Sequence, residues 1–242
     1  VEEALLDLIV LSPCFYENSA PADLMIQSAI AHRLNVQLYG VGDPFIPHGA
    51  DAQVAKLYDL MCKGGKLAEH VLMTDCRDVL FLADQIEIMG KFKAFKKELV
   101  MSAETGCWPP EPEVVDFFFG KDENGYNFAN AGQFIGTWEY VRSCLQLLLH
   151  DYRGKHPGAD NSQGWWMWAK MRGQVDFALD SQCQIFQTMS GGSDAQILAI
   201  GDRVLNTKTN THPCSVHYNG DQNGKAYREM YRRLFLNEKN RS

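Results

Sequence analysis

The sequence has no run of the roughly 18–20 consecutive apolar residues that a membrane-spanning helix needs. It also lacks a positively charged start. Glu2, Glu3 and Asp7 flank the first short apolar run, where a signal peptide would carry basic residues, so no leader is expected within the chain as given. A segment removed ahead of Val1 stays open. There is no basic excess: 23 Lys and Arg stand against 30 Asp and Glu, a formal net charge of −7. That argues against non-specific nucleic-acid binding, which needs a positive surface. The basic clusters at Lys91–Lys97 and Arg228–Arg241 read as solvated helix faces. No CxxC pair occurs, and the seven cysteines are odd in number and widely spaced. A disulfide framework is therefore not expected, and the default is free thiols in the cytoplasm or another reducing compartment. No internal repeat, low-complexity stretch or linker interrupts the chain.

What remains is the profile of an ordinary globular protein, with 242 residues, 45% hydrophobic and 22% charged. Apolar runs and helical patterns alternate through the first hundred residues. Leu6–Ser12, Val36–Tyr39, His70–Thr74 and Leu99–Ser102 read as strands, and Ala20–Arg33 and Ala50–Cys62 as helices. That alternation predicts an α/β fold, a mostly parallel sheet with helices on both faces. The Pro- and Gly-rich stretch Gly106–Tyr126 reads as a long loop, which in a compact domain is often functional. Further helices are expected at Thr137–Tyr152, Gln163–Arg172 and Asp221–Leu236. Short strands are expected near Gln184–Gln187, Ile197–Ile200 and Cys214–His217. One domain is the simplest account, with residues 1–104 as a nucleotide-binding half and 105–242 closing the site.

The stretch His70-Val-Leu-Met-Thr-Asp75-Cys-Arg-Asp78 carries the most chemistry. An apolar strand runs directly into two aspartates three residues apart. Ligands of open parallel sheets sit at the carboxyl ends of strands. Two carboxylates there suit a hard divalent cation, Mn²⁺ or Mg²⁺, together with a diphosphate. The bland alternative is a turn or helix-capping aspartate. Late in the chain, His212-Pro-Cys214-Ser-Val-His217-Tyr-Asn219-Gly220 puts His217 at the end of a strand, and neutral imidazole is a competent Mn²⁺ ligand. A structural histidine is the alternative. A zinc cluster of His212, Cys214 and His217 lacks a fourth ligand and any standard spacing.

Taken together, seven segments in fixed order resemble the glycosyltransferase domain of the lysyl hydroxylases and the related procollagen galactosyltransferases. They are Leu8–Ser12, Tyr39–Gly42, Val71–Leu80 with its Asp-x-x-Asp motif, and Met101–Pro109 with Ser-Ala-Glu…Cys-Trp-Pro. Phe128–Gly136, Leu179–Gln187 and His217-Tyr-Asn219-Gly220 complete the series. The resemblance spans about residues 6–225. It implies a GT-A fold, a UDP-sugar donor and Mn²⁺ held by Asp75, Asp78 and His217. It implies that Asn219 and Gly220 lie against the diphosphate, with Ser12, Lys56 and Lys225 also on the donor side. Trp108 matches a loop tryptophan over the sugar, with a packing aromatic as the alternative. Glu104, Asn130 and Gly132 fall on the substrate side, with Glu104 as a buried carboxylate orienting the loop as the alternative. Trp165, in the run Trp165-Trp166-Met-Trp168, offers an acceptor platform, with core packing as the alternative.

Two departures stand out. The family carries a tyrosine between its aspartates that stacks on uracil; here the residue is Arg77, whose guanidinium can also stack on a base. The family's acidic run before a helical glutamine is Asp160-Asn161-Ser162-Gln163 here, the segment matching its catalytic residues. Only Asp160 keeps a carboxylate, and a plain helix N-cap is the alternative. The expected activity is hexose transfer from a UDP-sugar to a hydroxyl of a glycan, of hydroxylysine or of a hydroxylated nucleobase. The alternatives are a nucleotide-sugar hydrolase and a binding domain without activity.

Overall fold

The computed structural model of the chain describes residues 6–43, 50–153, 162–190, 196–220 and 224–236. Its centre is a six-stranded sheet of order β2-β1-β3-β6-β5-β7. These strands are β1 (Leu6–Pro13), β2 (Val36–Tyr39), β3 (Ala68–Thr74), β5 (Leu99–Glu104), β6 (Phe128–Thr137) and β7 (Ala178–Leu179). Five run the same way; β6 is antiparallel to both neighbours, β3 and β5. The α/β architecture with a mostly parallel sheet is therefore as the alternation of runs and helical patterns implied.

The strands read as unbroken apolar runs because both faces are covered. Alternate residues serve opposite layers. Ile9, Leu11, Val71, Met73, Leu99, Met101 and Phe134 face one core, under α2 (Ala50–Lys63), α5 (Trp138–Asp151) and α6 (Ser162–Met171). Leu8, Val10, Leu72, Val100 and Ile135 face the other, under α1 (Asp23–Ala31) and α3 (Gln85–Ala94). Among the described residues, no helix is long and apolar enough to cross a membrane.

A second sheet, of order β4-β11-β8, flanks the first. It is built from β4 (Val79–Phe81), β8 (Phe186–Thr188) and β11 (Ser215–His217), and a hairpin of β9 (Ile197–Ile200) and β10 (Arg203–Asn206) stands beside it. α7 (Lys225–Tyr231) follows, and Arg232–Leu236 continues it as a π-turn.

Three corrections to the sequence reading have clear causes. The stretch read as a loop contains α4 (Pro112–Phe118), because Pro112 stands at the helix start, where a missing N–H costs nothing. α3 was expected only as the helix face carrying Lys91–Lys97, without a start; the Asp84 side chain provides that start by accepting from the Glu87 N–H at 3.0 Å. β6, ten residues long, was not read as a strand because Asn130, Gly132, Gln133 and Gly136 break any apolar run. The expected closing helix Asp221–Leu236 starts at Lys225; residues 221–223 lie outside the described set.

Candidate metal and donor site

Three strand ends converge at the site. Asp75 extends β3, and its N–H donates to the Gly132 carbonyl on β6 at 2.8 Å. Asp78 immediately precedes β4. β11 pairs antiparallel with β4 so that His217 faces Val79, and the Tyr218 N–H donates to the Asp78 carbonyl at 2.8 Å. Register alone thus delivers His217 to the two aspartates across more than a hundred residues of chain.

His217 Nε2 lies 3.4 Å from Asp75 Oδ2 and 3.4 Å from Asp78 Oδ1. One ligand atom from each of the three residues lies within 4.8 Å of the others. This is the one such group of three among the described residues, and it includes neither His212 nor Cys214. His212 is turned away, its Nδ1 3.0 Å from the Val204 carbonyl. His217 is buried, and neither ring nitrogen has a hydrogen-bond partner. Burial disfavours an imidazolium here, but Asp78 and Asp75 outweigh it and push its pKa up to about 10. Burial likewise works against the Asp78 carboxylate, and His217 reverses that and lowers its pKa. The site is built for positive charge at its centre.

Gly132 closes the floor. A Cβ at this position would stand 2.3 Å from His217 Cε1 and 2.7 Å from Asp75 Oδ2, so only glycine fits. Its N–H donates to the Asn130 side-chain oxygen at 2.9 Å. Assigned to the substrate from sequence, Asn130 and Gly132 in fact border the aspartate–histidine group. Beneath them, Gln133 Nε2 reaches Ser215 Oγ at 2.9 Å and Thr74 Oγ1 at 3.3 Å. That buried link ties β6, β11 and β3 together under the site, and sequence reasoning did not single out Gln133.

A cleft of about 190 Å³ opens beside the aspartates, lined by Pro13, Phe15, Tyr16, Gln53 and Asp75–Asp78. Arg77 is exposed there and interacts with Tyr16. The Phe15 ring packs edge-on against Tyr39, centroids 6.1 Å apart. The position of Phe15 and Tyr16 past the carboxyl end of β1 was the signal that could have found them.

Glu104, at the end of β5, is buried and fully engaged. One oxygen accepts from Gln163 Nε2; the other accepts from Ser190 Oγ at 2.9 Å and Asn219 Nδ2 at 2.8 Å. It joins the start of α6 to the segment that carries His217. The Asn219 side-chain oxygen in turn accepts from the Met189 N–H at 3.2 Å.

Other expected residues fall elsewhere. Ser12 is buried and donates to the Thr74 carbonyl at 2.8 Å, so its hydroxyl joins two strands rather than facing a ligand. Lys56 is 2.8 Å from Asp43 on the surface. Trp165 lies in the core, which corrects its reading as an acceptor platform; the exposed tryptophan is Trp108, at 63%. Gly220 and Lys225 are exposed. Ser162 opens α6, while Asp160 and Asn161 lie outside the described residues.

With this geometry in view, comparison with known proteins is decisive. The family model described as the PLOD GT domain matches residues 22–227. The chain belongs to that family of glycosyltransferase domains. A multifunctional procollagen lysine hydroxylase and glycosyltransferase of Caenorhabditis elegans is 28% identical over 84% of this chain and 29% of its own length. Mouse procollagen-lysine,2-oxoglutarate 5-dioxygenase 1 is 27% identical over 80% of this chain and 28% of its own. The chain thus spans less than a third of these relatives. A glycosyltransferase involved in glycosylating the major capsid of PBCV-1 shares the fold. Its TM-score is 0.53 at 12% identity, covering 93% of this chain and 98% of that one. Six of the seven segments that suggested the family lie wholly inside the matched range; only Leu8–Ser12 precedes it.

Proposed function

We propose that this domain transfers a hexose from a UDP-sugar to a hydroxyl acceptor, with a divalent cation, Mn²⁺ or Mg²⁺, held by Asp75, Asp78 and His217. The observation that carries this reading is the buried imidazole of His217, its nitrogens without hydrogen bonds, facing two carboxylates over a glycine floor. Two hard oxygen donors and one imidazole suit Mn²⁺. A bound cation supplies Lewis-acid offset of the charge that develops on a departing diphosphate.

The chain's own residues divide the remaining work. Phe15, Tyr16 and Arg77 present two rings and a guanidinium to the donor base, next to the carboxylates. Gly132 leaves the room that the His217 ring and the Asp75 carboxylate occupy, which a metal held by them would need kept free. Glu104 fixes Asn219 and Gln163, so that the segment after His217 and the start of α6 face the same space. Exposed Trp108 stands on the loop between β5 and α4, placed to cover a sugar. Catalysis of this kind rests on positioning and charge stabilisation. The acceptor is a hydroxyl on a glycan, a hydroxylysine-containing chain or a modified nucleobase, and the acidic net charge disfavours the last.

The test is a screen of nucleotide-sugars with Mn²⁺, reading released nucleotide with and without acceptors, beside calorimetry of UDP. The expected result is Mn²⁺-dependent UDP binding in the wild type, weakened at least tenfold by Asp78→Ala, and turnover stimulated by acceptor. Metal-dependent binding untouched by Asp78→Ala would sink the metal-site assignment. Donor turnover indifferent to every acceptor would point to a hydrolase.

A further inference from the structure

Behind the metal-binding turn, two cysteines meet across the sheet. The parallel register of β1 and β3 pairs Val10 with Leu72 and Leu11 with Met73. Carried three residues further, it sets Cys14 opposite Cys76. The hydrogen bond from Ser12 Oγ to the Thr74 carbonyl at 2.8 Å ties the two strands together one step beyond the last paired residues. Both chain ends are still held in the sheet: the Cys14 N–H donates to the Tyr39 carbonyl and the Asp75 N–H to the Gly132 carbonyl, each at 2.8 Å.

The alternation of a strand sets the direction of the side chains. Leu8, Val10 and Cys14 on one chain and Leu72 and Cys76 on the other belong to a single buried cluster. Asp75, one residue earlier, turns the opposite way to His217. The two thiols are buried and interact with each other. Neighbouring strands are about 4.8 Å apart, which lies within the 4.4–6.8 Å range of Cα separations that a disulfide bridges.

We propose that Cys14 and Cys76 are a disulfide-forming pair, a covalent clamp between the ends of β1 and β3 directly behind the metal-binding turn. With glutathione disulfide as oxidant, the sulfur of one cysteine attacks a glutathione sulfur and expels one glutathione thiolate. The second cysteine then attacks the mixed disulfide at the protein sulfur and expels the other. Two S–H bonds are lost, one protein S–S bond forms, the S–S bond of the oxidant breaks, and two reduced glutathiones carry the two protons and two electrons. The clamp leaves the Asp75 carboxylate facing the metal position, because it lies on the other face.

Both thiols are buried, so exchange on the folded protein is slow and the oxidant is best supplied during refolding. The full chain is refolded from urea in a glutathione–glutathione disulfide mixture, blocked with N-ethylmaleimide in denaturant, digested and mapped by mass spectrometry. The expected product is a linked Cys14–Cys76 peptide pair, with the five other cysteines blocked. Closing a loop this long raises the melting temperature over the dithiothreitol-treated protein by about 5–10 °C. Cys14→Ser and Cys76→Ser each abolish the linked peptide and the shift. Should a variant fail to fold, the wild-type map alone decides. Cys14 and Cys76 both blocked, or either linked to another cysteine, would overturn the pair. A crosslink that leaves the melting temperature unchanged or lower would overturn the clamp.

Discussion

At Gly132 the difference between a fold and a site comes down to one methyl group. The backbone there is a break in register, where β6 pairs with β5 through Asn130 and then Phe134 and skips the residues between; the space beside it is tighter still. An alanine Cβ would press on His217 and Asp75 at distances no real contact shows, so the imidazole or the carboxylate must shift. If the group holds Mn²⁺ as proposed, Gly132→Ala weakens that binding at least tenfold while lowering the melting temperature by only a few degrees. Metal titration beside a circular-dichroism melt checks both. Unchanged affinity would show that the aspartate–histidine group tolerates a displaced floor. Sequence gave unequal access to such residues. Asp75 and Asp78 follow an apolar strand directly and announce themselves. Gln133 and Tyr16 do not, because their partners stand 59 to 82 positions away. Ser12 shows the opposite failure. It stands at a strand's carboxyl end, where ligands gather, but the neighbouring strand claims its hydroxyl.

Between elements, α3 shows how a surface ion network holds the β9–β10 hairpin to the body. Glu87 receives Arg203 of β10 at 2.7 and 2.9 Å and pairs with Lys91, one turn along α3, at 2.8 Å. Burial alone would raise the Glu87 pKa, but Arg203 and Lys91 bring it down to about 2. A carboxylate with a lowered folded pKa stabilises above its unfolded value, near 4.5, and loses that contribution as pH falls from there toward 2. Glu87→Gln is expected to cost about 1–2 kcal/mol at pH 7, after allowing for solvent screening of a partly exposed pair. The gap should shrink to nothing as the pH approaches 2. Urea denaturation of both proteins across that range measures it; a gap independent of pH would mean that packing, not charge, holds the hairpin. Elements with one clear period, such as β2 and α5, were legible to within a residue or two. α3 and β6 were not, for reasons that lie in tertiary structure. β6 is buried on both faces: β3 and β11 supply the partners of Gln133, and Asn130 bonds within β6 itself; α3 mixes charge into its buried face.

Across the whole molecule, chain order and spatial order separate. β6 comes from beyond residue 104 yet sits between β3 and β5, and the aspartate–histidine group draws on residues 75, 78 and 217. Stability and function should therefore divide by core position, not by halves of the chain. The tryptophans make the test. Trp166 is buried in the larger core, its ring centroid 5.5 Å from Phe134 of β6 and 6.3 Å from Phe177. It locks α6 to the strand that carries Gly132. Trp166→Ala removes a large side chain that its neighbours cannot replace, and the expected cost is about 3–5 kcal/mol, read from urea denaturation midpoints. Trp108, mostly exposed, should change stability by less than about 0.5 kcal/mol when replaced by alanine. If the domain works as proposed, Trp108→Ala instead lowers sugar transfer while leaving UDP binding intact, since the residue lies away from the base cleft. Equal stability losses in the two variants would mean that the 105–111 loop is part of the core rather than a cover for the site. A Trp166→Ala protein as stable as wild type would show that α6 adds little to holding β6, and the floor of the aspartate–histidine group, in place.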